Sequence, residues 1–170
     1  DFGSVINLLR SHSQGARSDA ALCFEKLAER YPAEARNRKS HILRCLEDDS
    51  TAVRAEALSA LKKLAEENPE SVHEDIPDII GRIHDKPYVK KNALKTILVL
   101  AEEYPNDIRD HIPKLIDTLE SDNDSIRELA TKIVVWVTDD KNRIPVMVKA
   151  KILVGSVKAI IKSTRQLKYP

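Results

Sequence analysis

The stretch LAEENPES, residues 64–71, has two near copies in the same chain: LAERYPAE at 27–34 and LAEEYPND at 100–107. Their prolines, Pro32, Pro69 and Pro105, are separated by 37 and 36 residues. Proline disfavours helix in the residue before it and has no N–H to donate. It does fit the first position of a new helix. Each copy therefore closes one helix and opens the next.

The match extends well beyond the prolines. Ala20, Ala57, Ala93 and Ala130 share a column, as do Phe24, Leu61, Ile97 and Val134. Leu27, Leu64, Leu100 and Val137 form a third column, and Leu9, Leu46, Ile83 and Leu119 mark a preceding helix. Polar breaks, SHSQG, EDDS, HDKP and ESDND, lie between the two helices of each unit. Val53, Ala57, Leu61, Leu64 and Ala65 recur at intervals of three and four, which makes one apolar stripe on a helix. Asp49, Ser50, Asp122 and Ser125 are expected to cap the second helix of their units. One such helix pair cannot bury its apolar face alone. Stacked pairs with a period near 36 residues build an α-solenoid, whose units touch mainly their neighbours.

The segments IPDIIGRIHDKPYVKKNALKTILVLA (76–101) and IPKLIDTLESDNDSIRELATKIVVWV (112–137) resemble HEAT repeats of the armadillo-like superfamily. Pro77 and Pro113 match the proline of the family's helix A. Asp48, Asp85 and Asp122 match its turn aspartate, which Ser11 replaces in the first unit. Val53-Arg54, Val89-Lys90, Ile126-Arg127 and more loosely Ala16-Arg17 match the apolar–basic pair that opens helix B. The resemblance implies an all-α, right-handed solenoid of about four helix pairs, near 1–31, 32–68, 69–104 and 105–140. A basic helical cap is expected over 141–170. Helix A of the second unit carries Lys39-Ser40 in place of Ile-Pro, so a straighter, more basic start is expected there through Arg36, Arg38 and Lys39.

Charge is divided along the chain. Residues 1–140 hold 27 acids and 20 bases, a net of −7, whereas 141–170 hold eight bases and no acid. This split predicts docking of the terminal segment on the body. There is no apolar run of about 18 residues, the length a membrane-spanning helix needs. Cys23 and Cys45 sit in apolar helical patterns, which predicts buried, reduced thiols in an intracellular and specifically cytoplasmic protein. The sequence starts at Asp1 and reads as a segment of a longer chain or a trimmed one.

Neither catalysis nor a cofactor is expected. Four glycines are too few for a phosphate loop, and the five histidines lack metal-ligand spacing. His73-Glu74 is a lone pair at a helix start. HEAT-like metalloenzymes that resemble deoxyhypusine hydroxylase need several such pairs. The row Arg17, Arg54, Lys90 and Arg127 has two readings: a ladder for phosphates or acidic peptides, or a structural row paired with turn aspartates. The acidic column Glu29, Glu66, Glu102 and Asp139 reads as solvated.

The expected function is a non-enzymatic scaffold that binds a protein or peptide through its B helices. At one pair of B-helix positions the residues run Glu25-Lys26, Lys62-Lys63, Leu98-Val99 and Val135-Trp136. Leu129 adds to the apolar end, where earlier units have Asp19, Glu56 and Asn92. Leu98, Val99, Leu129, Val135 and Trp136 are thus the candidate binding surface, covered by a partner or by the chain's own terminal helix. The alternative function is association with nucleic acid through the basic C-terminal segment.

Overall fold

The structure, a computed structural model, describes residues 1–138. All regular structure in this range is helical. The long helices are α2 (Gln14–Arg30), α5 (Thr51–Glu67), α7 (Pro87–Glu103) and α10 (Asp124–Thr138). They pack in sequence order, α2 on α5, α5 on α7 and α7 on α10. Each is preceded by shorter helical segments: α1 (Phe2–Leu8), then α3 (Pro32–Asn37) and α4 (Lys39–Arg44), α6 (Ile76–Gly81), and α8 (Pro105–Arg109) with α9 (Ile112–Thr118). A 3₁₀ helix, Pro69–Asp75, precedes α6. This arrangement is an all-α solenoid.

The repeated prolines act as the sequence reading requires. Pro32, Pro69 and Pro105 each open a helical segment. The residue before each is non-helical: Tyr31 at φ −135°, Asn68 at φ −158° and Tyr104 at φ −122°. The alanine column is fully or almost fully buried, and so is the column of Phe24, Leu61, Ile97 and Val134. Leu9, Leu46, Ile83 and Leu119 join the same core. Alanine at the closest approach lets the long helices draw together, while the larger side chains fill the space beside it.

The short helices depart from the expectation. The second unit is not straighter: its helix breaks at Arg38, with φ −113° and ψ 7°. Asp75 and His111 break the next two units with nearly the same angles, φ −92° and −103°. Pro77 and Pro113 follow the latter breaks, but no proline follows Arg38. Contacts on both sides hold this bend instead. Arg38 lies over the Phe2 ring at 5.4 Å and pairs with Glu34 at 3.1 Å. Lys39 donates to Ser71 O at 2.6 Å and to Asp75 at 2.5 Å. Tertiary contacts thus impose the bend without the local proline signal.

Two further expectations are corrected. Of the four cap candidates only Ser50 caps a helix, accepting from Val53 N. Asn123 Oδ1 caps α10 by accepting from Ile126 N at 3.3 Å, and Ser125 lies inside that helix. Cys45 is buried, but Cys23 is exposed, and both are free thiols. The expected cap over 141–170 lies outside the described residues.

Candidate protein-binding surface

The exposed side of the long helices carries the candidate surface. The stacked helices hold that side rigid through buried polar ties as well as apolar packing. Asn92 Nδ2 of α7 donates to Ala55 O of α5 at 3.0 Å, and Thr96 Oγ1 donates to Leu58 O at 3.1 Å. Sequence reading missed these ties. For Thr96 the signal is a polar residue in a column that is otherwise small or apolar, Cys23, Ala60 and Ile133; Asn92 gives no such signal, because its column holds Asp19 and Glu56.

Within the Arg17–Arg127 row, Arg17 and Arg54 bridge successive units. Arg17 Nε and Nη2 donate to Asp48 Oδ2 and Oδ1 at 2.7 and 2.9 Å. Arg54 repeats this on Asp85, at 2.7 Å to each oxygen. In each case the third nitrogen donates to carbonyls of its own turn: Arg17 Nη1 to Ser11 O, and Arg54 Nη1 to Asp48 O. These are two-pronged, charge-assisted bonds between successive units. The Arg54 hydrogen bond holds the Asp85 carboxyl below its ordinary value, against the opposing effect of burial. Arg127 stays within its own turn, on Ser121 O and Asp124. Lys90 makes no such bridge among the described residues, and Asp122 is exposed. An ammonium lacks the planar fork that matches a carboxylate.

The candidate binding residues form two tiers. Leu98, Val99 and Leu129 are half-buried against the core. Val135 and Trp136 project outward, each 54% exposed. On α5 the same positions are charged and paired. Lys62 meets Glu66 at 2.5 Å, and Lys63 lies near Glu66 at 3.5 Å and near Glu29 of α2 at 3.7 Å. Glu66 therefore sits between two lysines, while Glu29 is largely exposed beside Lys63. Asp139 of that column lies outside the described residues. The face thus changes from ion-paired at α5 to apolar at α10. Tyr88, 53% exposed, is a further apolar group on α7, and its hydroxyl donates to Glu56 at 3.0 Å. It escaped the sequence reading because its column holds Gly15, Ala52 and Ser125, with no trend to follow.

The basic segment 141–170 considered for nucleic acid lies outside the described residues, and the basic start of the second unit is largely engaged. Arg38 is held by Glu34 and Lys39 by Asp75, while Arg36 is exposed. His73 stacks on Tyr104 at 3.9 Å and contacts Asp107 at 3.2 Å, so it ties adjacent units. No group of three metal-ligating side chains occurs among the described residues, and no described helix is long and apolar enough to cross a membrane.

Break-and-stack helices with this repeat define a class by fold: an all-α solenoid similar to those of HEAT and armadillo repeats. Residues 4–87, just under half of it, match the family model for Cnd1, the non-SMC mitotic condensation complex subunit 1. Two solved structures share the fold, each at 19% identity with a TM-score of 0.70. One is an engineered protein from the Northeast Structural Genomics Consortium, with 81% of this chain and 62% of that chain covered. The other is a designed armadillo repeat protein in complex with the peptide (KR)4, with 80% and 64% covered. This chain therefore spans somewhat under two thirds of either one. No curated protein sequence matches it.

Proposed function

We propose that the chain is a non-enzymatic scaffold segment that binds a protein or peptide partner across the outer face of α7 and α10. The supporting observation is the change along one set of positions, from the ion-paired Lys62 and Lys63 to the exposed Val135 and Trp136. A solvated helix face gains nothing from an exposed tryptophan beside a valine. A binding face does, because large aromatic side chains act as anchors once a partner excludes water. Leu98, Val99 and Leu129 supply the half-buried floor on which an apolar anchor of the partner rests. The designed armadillo protein with its bound peptide supports a peptide-sized partner, although the apolar end here favours a less charged ligand. The free cysteines fit an intracellular setting.

Selection of a displayed random peptide library on the chain tests this reading. Enriched peptides are expected to carry apolar anchors and to lose binding to the Val135→Ser/Trp136→Ser variant. Peptides that bind this variant equally well would place the surface elsewhere.

A further inference from the structure

A second feature lies among the short helices. The end of α1 and helix α4 flank a cleft of about 210 Å³, lined by Ile6, Leu9, Arg10, His41, Arg44, Cys45 and Asp48. Arg44 Nη2 meets His41 Nδ1 at 2.5 Å, so the guanidinium donates to an unprotonated ring nitrogen. Arg10 and Arg44 are exposed, and neither pairs with a carboxylate among the described residues. By contrast Arg17, Arg38, Arg54 and Arg82 each hold an Asp or Glu. The one acid of the cleft, Asp48, is engaged elsewhere: it accepts from Arg17 at 2.7 and 2.9 Å and from Ser50 N at 2.9 Å.

We propose that this cleft binds the oxyanion of an acidic side chain, phosphoryl or carboxylate, presented by a peptide partner. Arg10, and Arg44 through the nitrogens that His41 does not engage, grip the oxygens with charge-assisted hydrogen bonds. Ile6 and Leu9 offer an apolar wall for the stem of the side chain. An extended polynucleotide fits less well, because the neighbouring Arg38 and Lys39 are already neutralised by Glu34 and Asp75. A phosphodiester chain needs a continuous basic track. The site is independent of the surface on α7 and α10.

His41 reports on occupancy. Burial pushes its imidazole below the ordinary value, and the charges of Arg44, Arg10 and Arg38 push it further. These, with the neutralised Asp48, are the charged groups about it; the Cys45 thiol is pushed up to about 11 by burial and stays uncharged. An anion between the two arginines offsets their repulsion and raises the proton affinity of the ring.

The test follows the His41 ring resonances of the full chain by NMR at constant ionic strength. Inorganic phosphate, a phosphoserine peptide and a glutamate peptide are titrated separately. Saturable shifts and a His41 titration moved to higher pH are expected, and the two peptide arms distinguish phosphoryl from carboxylate. Arg10→Gln and Arg44→Gln should each weaken binding about tenfold or more. Trp136→Ser should leave it unchanged, which separates this site from the other surface. Should a Gln variant unfold, Arg→Lys at the same position keeps the charge, removes the fork and is expected to weaken binding too. The proposal is overturned by shifts that chloride reproduces, by the absence of saturation, by variants that bind unchanged, or by a single-stranded oligonucleotide that binds as tightly as the peptides.

Discussion

Arg54 and Asp85, 31 residues apart in sequence, face each other so that Nε and Nη2 of one donate to the two carboxylate oxygens of the other, each at 2.7 Å. Both side chains are only 13% exposed. Arg17 and Asp48 repeat the same bridge one unit earlier. In a solenoid each unit contacts mainly its neighbours, so a bond of this kind acts directly on the coupling between units.

Replacing Asp85 by Asn leaves the buried fork of Arg54 with a neutral partner. The expected loss is about 2 kcal/mol, the size of a hydrogen bond to a charged group. Replacing both residues by leucine should cost less than the single change, because it leaves no uncompensated charge. Urea unfolding of the single and double variants measures this.

Lys90→Arg should extend the ladder. Arginine at this position supplies the fork that lysine lacks, and Asp122, now exposed, stands one unit on as Asp85 does for Arg54. A gain of about 0.5–1 kcal/mol is expected. Asp122→Asn combined with Lys90→Arg should abolish the gain; a gain that persists would mean the arginine acts elsewhere.

Stability should depend on pH through two kinds of group. The bonds from Arg54 lower the Asp85 carboxyl below its unfolded value of 3.8. For Asp48 burial acts upward, but the Arg17 bonds and the Ser50 N–H outweigh it and hold the carboxyl below 3.8. Groups depressed in the folded state contribute stability above their unfolded value and lose it as the pH falls through the folded one. Acid loss is therefore expected below pH 3.8. His41 acts in a higher window. Its folded value lies below the unfolded 6.5, so the unfolded chain gains its proton first and stability falls as the pH drops below 6.5. His41→Gln should flatten this upper slope and leave the acid limb intact, as read from unfolding midpoints across pH.

Much of this architecture was legible because it depends on spacing. The Pro32, Pro69 and Pro105 series and the buried alanine column mark helix ends and closest approaches, and both are set by local chain geometry. The bend at Arg38 was not legible, because Phe2, Glu34 and Asp75 hold it from elsewhere in the chain or across the turn. Asn123 rather than Asp122 caps α10, a difference of one residue that depends on the turn path. Cys23 lies beside the buried Phe24 in sequence, yet on a helix the next residue turns about 100° away, and the thiol is exposed. Within the candidate surface, the trend toward apolar residues was visible, but the split into a half-buried floor and projecting Val135 and Trp136 needed the packing of α10 on α7.

Trp136 is the one tryptophan, so its quenching by acrylamide reads the proposed partner surface directly. In the full chain alone an accessible indole is expected, and protection when a peptide selected from the displayed library is added. An indole equally protected with and without that peptide would contradict it, and if removal of 141–170 then exposes the ring, the chain's own terminus is its cover.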